Sequence, residues 1–401
     1  MPSSTDSEIL PSQRAHRRRQ QRLVMAATAP VVVVVVVVVA IVVLRRGDGS
    51  WAFDAAERGN ELVADDRTVC GTDGGVALFC LEGATGEELF TEHLADRLEP
   101  FTIVDGTVLV GRRADGSAHA RLSAYSVDGD QLWDAPLDDA TVSEIPVADG
   151  VVAIQKKLGS EMVGLDLVTG QERWRTSLSS PTDTADQRLV GHIFTDGEGF
   201  YASVVPDGPR SSGHVVAIEP GSGTERWRAR IAGPDLPSTA IAPFDDGGAV
   251  VFVVGEPSRH QRLVVLDTTS GQLHWQAPLT DDRATVAHLD GVTVVSFGAE
   301  MRGYSSGGDE LWTTDAPTGS DGEDAVGTSP GRGRLFVAGA TLYYHASEVH
   351  AVDPRTGESR TVIDDRVDEV VATADHLVTA GPCCATSPHI EGHPLERGPA
   401  T

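Results

Sequence analysis

Several features that mark common classes of protein are scarce or absent in this chain. Lysine occurs only at Lys156 and Lys157, cysteine occurs four times, and aromatic residues make up 5% of the 401 residues. The sequence has no phosphate loop, no nucleophile elbow between a strand and a helix, and no helical zinc-protease motif. We therefore expect no enzyme activity, no cofactor and no metal site, although a Ser/His/Asp site built from distant residues stays open.

A net positive charge is found only at the N-terminus. The first 46 residues hold seven arginines against Asp6 and Glu8, whereas the remainder has 57 acidic and 25 basic residues, a formal charge of −32. A surface that acidic repels nucleic acid and anionic lipid. We expect no nucleic-acid partner.

The segment 23–44 contains no charged residue and includes nine consecutive valines, Val31 to Val39. A helix of that length spans about 33 Å, enough to cross a bilayer core. Five arginines precede the segment and Arg45 and Arg46 follow it, which places the N-terminus in the cytoplasm. A cleaved signal peptide is the alternative, but a small-residue cleavage site does not follow. The prediction is a cytoplasmic tail at 1–22, a transmembrane helix at 23–44 and a linker at 45–60, with the domain beyond outside the cell membrane.

One sequence motif, called the phrase below, then recurs seven times, as in GLDLVTGQERW from Gly164 to Trp174. An apolar run ends at a short polar residue, a glycine follows, and four positions later comes an aromatic residue. The predicted turn glycines are Gly86, Gly129, Gly170, Gly223, Gly271, Gly308 and Gly357. The residues in the aromatic place are Phe90, Trp133, Trp174, Trp227, Trp275 and Trp312, with Thr361 in the seventh phrase.

The phrase has the chemistry of a β-hairpin. The polar side chain accepts backbone N–H bonds in the turn, and the glycine adopts a positive φ. The aromatic residue on the return strand buries its ring against the neighbouring repeat. Asp105-Gly106, Asp149-Gly150 and Asp290-Gly291 open further strands.

Residues 61–382 contain 322 residues, or 46 for each of seven repeats, which suits a four-stranded propeller blade. We predict an all-β, seven-bladed propeller, with strands after Glu369 and His376 completing the first blade. Eight blades, with the two ends sharing the extra blade, is the alternative. Residues 383–401 are predicted to be a disordered tail.

The pattern A-x-D-x-x-T-G-x-x-x-W resembles the pyrrolo-quinoline quinone (PQQ) repeat over about four-fifths of the chain. The family includes PQQ-dependent alcohol dehydrogenases, the propeller lipoprotein of the outer-membrane assembly machine, and bacterial sensor domains. The enzymes clamp their quinone partly with adjacent cysteines. Cys383-Cys384 is such a pair, but it follows the last repeat instead of lying in an early blade.

The four cysteines face an exported, oxidising compartment in this topology. If Asp73-Gly74 were a two-residue turn, Cys70 and Cys80 would be staggered by about 10 Å, beyond disulfide reach. The expected bridges therefore join Cys70 or Cys80 to Cys383 or Cys384, unless a longer turn around Gly75 changes the register.

Other polar residues have unremarkable interpretations. Cys383, Cys384, His389 and His393 form a possible metal set, but a tail without metal is preferred. His345 and His350 are expected to be ordinary surface or packed histidines. The loops from Ser179 to Gln187 and from Thr313 to Ser329 are long and polar, so they are candidates for specificity.

The function that we expect is binding. The propeller would act as a membrane-anchored scaffold or sensor for an envelope protein or glycan. A PQQ-dependent oxidoreductase and an envelope assembly factor are the alternatives.

Overall fold

The computed structural model describes residues 49–54, 61–73, 77–94, 97–113, 120–137, 140–141, 145–156, 161–178, 187–206, 213–230, 237–238, 248–254, 261–279, 284–317, 333–381 and 389–395. The strands in these ranges form eight antiparallel sheets, called blades 1 to 8. The predicted tail 1–22 and helix 23–44 lie outside them. Within the described ranges, no helix has the length and apolar character needed to cross a membrane.

Blades 1 to 7 are built from consecutive segments, with the strands of each sheet in sequence order from the inside outwards. Blade 1 contains β2 (Leu62–Ala64), β3 (Thr68–Asp73), β4 (Ala77–Glu82) and β5 (Glu88–His93). Blade 2 contains β6 (Arg97–Val104), β7 (Thr107–Arg113), β8 (Ala120–Ser126) and β9 (Gln131–Leu137). Blade 3 contains β10 (Ala140–Thr141) and β11 (Val147–Ala148), both paired with β12 (Val151–Lys156), then β13 (Glu161–Asp166) and β14 (Glu172–Ser177).

The next four blades continue the pattern. Blade 4 contains β15 (Gln187–Thr195), β16 (Phe200–Pro206), β17 (His214–Ile218) and β18 (Glu225–Arg230). Blade 5 contains β19 (Pro237–Ser238), β20 (Ala249–Val254), β21 (Gln261–Asp267) and β22 (Leu273–Leu279). Blade 6 contains β23 (Ala284–Leu289), β24 (Val292–Phe297), β25 (Glu300–Ser305) and β26 (Glu310–Asp315). Blade 7 contains β27 (Arg334–Ala338), β28 (Thr341–His345), β29 (Val349–Val352) and β30 (Ser359–Ile363).

Blade 8 is shared by the two ends of the domain. The C-terminal part supplies β31 (Glu369–Ala372), β32 (His376–Ala380) and β33 (His389–Pro394), and β1 (Trp51–Asp54) is the outer strand, with Trp51 opposite Gly392. The seven consecutive repeats are confirmed, and the eighth sheet corresponds to the eight-blade alternative.

Two boundaries and one blade assignment need correction. Residues 45–60 are not only a linker and 383–401 are not only a tail, because they contain β1 and β33. The strands β31 and β32 do not complete the first blade, which has four strands of its own. Strand β1 was missed because its partner β33 lies more than 300 residues away in the chain.

The ring closes through contacts between its first and last blades. Inner strand β2 of blade 1 contacts inner strand β31 of blade 8. The backbone N–H of Ala374 donates to the carbonyl of Asp66 across the same seam at 2.9 Å. The first and last blades are therefore neighbours.

Two-residue hairpins join the inner strands of blades 2, 3 and 6, as the Asp-Gly pairs predict. Asp105, Asp149 and Asp290 have φ values of 50°, 45° and 53°, and the glycine after each has φ between 66° and 73°. Positive φ at both positions defines the type I′ turn, whose twist matches that of the strands.

The hydrophobic core lies in the seams between blades. One cluster joins Leu122 of blade 2 to Val152 of blade 3, and another joins Val265 of blade 5 to Phe297 of blade 6. Because each blade buries both faces against neighbours, no blade has a complete core by itself.

Candidate functional site

A β-bulge precedes the aromatic residue of the phrase and turns its side chain toward the next blade. In blade 3, Gly164 pairs with Trp174 while Leu165 pairs with Glu172, so Arg173 is the extra residue. Blades 1 to 6 have this shift at the same place: between Cys80 and Leu81, Ala124 and Tyr125, Gly164 and Leu165, Ala217 and Ile218, Val265 and Leu266, and Gly303 and Tyr304.

Each of these aromatic rings covers the turn glycine of the following blade. Trp133 lies against Gly170, where an added Cβ would be 2.6 Å from the indole. Gly170 also has φ 68°, so both the backbone and the ring exclude a larger residue. The other pairs are Phe90 on Gly129, Trp174 on Gly223, Trp227 on Gly271, Trp275 on Gly308 and Trp312 on Gly357. The residues singled out for blade docking and for turns thus meet in pairs across the seams.

Most of the indoles also donate a hydrogen bond to the covered turn. The acceptor is always the carbonyl three residues before the glycine, as in Trp227 Nε1 to Thr268 at 2.7 Å. The other donor–acceptor pairs are Trp51 to Gly83, Trp133 to Leu167, Trp174 to Pro220 and Trp312 to Pro354, at 2.6 to 3.0 Å.

Two seams with an aromatic docking residue lack this bond, and in both of them the covered turn is one residue shorter. In a long turn the glycine N–H bonds four residues back, as Gly271 does to Asp267. In the short turns of blades 2 and 6 it bonds three residues back, from Gly129 to Ser126 and from Gly308 to Ser305. The residue facing the first short turn is a phenylalanine, which has no N–H. The residue facing the second is Trp275, whose buried Nε1 has no acceptor among the described residues.

Trp51 performs the same role at the closing seam, and the sequence interpretation missed it. Its ring is 1% exposed, packs on Gly86 of blade 1, and donates to the carbonyl of Gly83 at 3.0 Å. All six tryptophans therefore dock blades, although only five follow a phrase glycine in sequence. The Trp51-Ala-Phe53 alternation was the available signal.

Thr361 does not replace an aromatic docking residue. It pairs with His350, and the register shift of blade 7 lies between Val349 and His350, two residues before its place in other blades. His345 and His350 are packed histidines, 8% and 6% exposed. Burial lowers the pKa of each, although Glu348 near His350 and a hydrogen bond from His345 to the Val367 carbonyl act in the opposite direction.

The cysteine prediction is wrong for Cys70 and Cys80. They lie directly opposite each other on β3 and β4 and form a disulfide, with Cα atoms 4.1 Å apart. The expected stagger assumed a two-residue turn, but Asp73 pairs with Ala77, so three residues separate the strands. Cys383 and Cys384 lie outside the described residues.

The acidic residue of the phrase organises its turn. Asp166 accepts hydrogen bonds from the backbone N–H groups of Val168 and Thr169 and from the Thr169 hydroxyl. The Thr169 hydroxyl and the Arg173 guanidinium lower the pKa of Asp166. Asp267 has a lowered pKa for the same reason, with Ser270 as its main donor.

His389 and His393 lie on strand β33 and flank Glu391, each with Nε2 3.7 Å from its carboxylate. Among the residues that the structure describes, no group of three His, Cys, Asp or Glu side chains is arranged to hold a metal ion. Of the two candidate loops, Gln187 begins β15 and Thr313–Asp315 end β26; the segments 179–186 and 318–332 are not described.

A surface cavity of about 540 Å³ lies at the outer part of blade 6. It is lined by Phe297, Gly298, Ala299, Glu300, Thr313, Thr314 and Asp315. Arg302 lies over the Phe297 ring at 5.0 Å and its Nε contacts Glu300 at 2.6 Å. The guanidinium is therefore engaged beside the cavity, whose two charged lining residues are both acidic.

Comparison with known proteins agrees with the propeller geometry. A family model described as "Outer membrane protein assembly factor BamB" matches residues 37–203 and 211–380. A protein of that name from Nitrosomonas eutropha is 26% identical over 200 residues, which is 50% of this chain but only 43% of the relative. Another from Burkholderia pseudomallei is 23% identical over 284 residues, or 69% of each chain.

Solved structures share the fold. BamB from Moraxella catarrhalis superposes with a TM-score of 0.58 at 13% identity, covering 88% of this chain and all of the other. Quinohemoprotein alcohol dehydrogenase from Comamonas testosteroni gives 0.54 at 12% identity, covering 88% of this chain and 78% of the enzyme. An assembly factor and an enzyme thus have the same architecture, and such identities show the fold alone.

Proposed function

Because the chain belongs to the BamB family of PQQ-repeat propellers, we propose that it is an extracytoplasmic propeller that binds envelope proteins and assists their assembly. The observation that carries the proposal is the family match across both halves of the ring. The names of both relatives point to the same role. A rigid ring held by indoles at most of its seams suits a scaffold.

The proposal includes a membrane anchor at residues 23–44, with the N-terminus in the cytoplasm. It rests on the 22 uncharged residues and the flanking arginines. A sensor of an envelope ligand is the less specific form of the same binding role.

We further propose that the chain has no catalytic step of its own. The cysteines of the first blade support this, because Cys70 and Cys80 are bonded to each other and 0% exposed. Addition of PQQ and calcium to the full chain should therefore produce no quinone-dependent turnover of alcohols. Turnover that requires both additions would instead favour the oxidoreductase.

The assembly role is tested in the native host. The gene is depleted, and the envelope proteome is quantified beside photo-crosslinking of the full-length chain in intact cells. We expect crosslinks to a small set of envelope proteins, whose folded amounts fall on depletion. An unchanged envelope proteome, or crosslinks to glycan alone, would contradict the proposal.

A further inference from the structure

The outer strand of blade 6 combines a free edge with the cavity described above. Strand β26 pairs with β25 and has no second strand partner in the described part of the chain. Prolines or arginines protect most other outer strands: Pro136 in β9, Pro278 in β22, Arg173 and Arg175 in β14, and Arg226, Arg228 and Arg230 in β18. Strand β26 has neither, and its Leu311 is 49% exposed.

The hydrogen-bond pattern identifies which backbone groups of β26 face outward. The N–H of Ala316 bonds the carbonyl of Ala299, so this is a hydrogen-bonded pair of the β25–β26 ladder. Such pairs alternate along antiparallel strands, so Thr314 also bonds inward. Thr313 and Asp315 consequently present their N–H and C=O groups to the free edge.

The same two residues line the cavity. Thr313 opposes Arg302 and Asp315 opposes Glu300, so their side chains share one face of the blade. Asp315 has no ion-pair partner among the described residues, whereas Glu300 is paired with Arg302. A side chain that fits this negative cavity would be basic, in keeping with the charge of −32 beyond residue 46.

We propose that an extended segment of a partner protein adds to β26 as a fifth strand of blade 6 and places a lysine or arginine in the cavity beside Asp315. Main-chain hydrogen bonds to Thr313 and Asp315 supply affinity, and the cavity supplies side-chain preference. This inference rests on the proposed function, since it identifies the surface and the partner chemistry of the binding role.

Binding of two synthetic peptides to the detergent-solubilised full-length chain tests the proposal. One alternates threonine with lysine and the other alternates threonine with glutamate, and fluorescence anisotropy measures each Kd. We expect the lysine peptide to bind at least about ten-fold more tightly, with a preference that weakens as salt rises. Equal binding of the two peptides would overturn the charge assignment.

Two variants locate the site. Thr313→Pro removes an outward N–H while leaving the bonds to β25 in place, so lysine-peptide affinity should fall about ten-fold or more. Asp315→Asn should weaken it by about three- to ten-fold. The matched control is Thr91→Pro, because Thr91 follows Phe90 on β5 as Thr313 follows Trp312 on β26.

Circular dichroism establishes that each variant is folded, and if Thr313→Pro fails to fold, Asp315→Lys replaces it. Equal losses in Thr313→Pro and Thr91→Pro, or no loss in either, would refute the edge assignment. Crosslinking in cells separates this failure from failure of the proposed function. A chain whose blade 6 variants still capture envelope proteins binds them elsewhere, whereas a wild-type chain that captures none has no assembly role.

Discussion

Replacing a docking indole by phenylalanine should have very different costs in two seams that differ in the length of the covered turn. Trp227 and Trp275 are both 8% exposed, and both cover the turn glycine of the next blade. Trp227 donates to Thr268 at 2.7 Å, but Trp275 Nε1 is buried without an acceptor among the described residues. The pair of substitutions Trp227→Phe and Trp275→Phe therefore isolates the hydrogen bond.

The expected change in the free energy of unfolding follows from the contacts that each substitution removes. Both lose a similar part of the ring, roughly 1–2 kcal/mol at about 0.8 kcal/mol per buried carbon. Trp227→Phe additionally breaks a hydrogen bond worth about 1 kcal/mol, and it leaves the Thr268 carbonyl without its donor. Trp275→Phe removes an unpaired buried N–H, whose burial costs about 1–3 kcal/mol, so its net effect should be close to zero. We expect Trp227→Phe to be more destabilising by about 2 kcal/mol.

Urea unfolding followed by far-UV circular dichroism measures this difference without relying on tryptophan fluorescence. The slope of the free energy against urea should be the same in both variants, so the midpoints report stability directly. Equal destabilisation by the two substitutions would refute the reasoning, because it would mean that the turn carbonyl contributes nothing at the seam.

Three further predictions concern other parts of the ring. Trp51→Ala should destabilise the ring by about 3–5 kcal/mol, as much as Trp174→Ala in an internal seam, in the same urea experiment; a negligible effect would show that blade 8 does not close the ring. The double change Cys70→Ala with Cys80→Ala should cost about 2–3 kcal/mol, and thiol labelling of the native wild-type chain should find neither residue reactive. Burial lowers the pKa of His345 below the ordinary histidine value of about 6.5. Just below that ordinary value the unfolded chain binds more protons than the folded chain, so stability should fall as the pH drops below about 7. His345→Asn should flatten this dependence more than His93→Asn, an exposed control, and identical pH profiles would contradict the assignment.

Sequence alone predicted the parts of the fold that depend on neighbours in the chain. The Asp-Gly hairpins and the phrase turns are local, and their residues have few conformational alternatives. The placement of Trp133, Trp174 and Trp227 against the next turn follows from the repeat, because each unit must bury the same ring.

Features that depend on pairing between distant parts of the chain, or on the exact register of two strands, could not be predicted in this way. Cys70 and Cys80 changed from unbridgeable to bonded when the turn had three residues in place of two. Strand β1 is only four residues long, and its partner Gly392 is recognisable only once the chain has closed on itself. The outward-facing groups of β26 were identified from the alternation of hydrogen-bonded pairs between β25 and β26, and this alternation is not visible in the amino-acid sequence.

The two irregular features of the ring have a common cause. Blade 8 takes its third strand from one end of the domain and its outer strand from the other, so no phrase turn joins β33 to β1. An aromatic residue on blade 7 would therefore have no turn glycine to cover. Thr361 stands in that place, and the bulge that points the aromatic residue in blades 1 to 6 is displaced by two residues. The missing ring in the seventh phrase is thus a consequence of how the chain closes, and the same closure explains why the one tryptophan outside the phrases, Trp51, docks on blade 1.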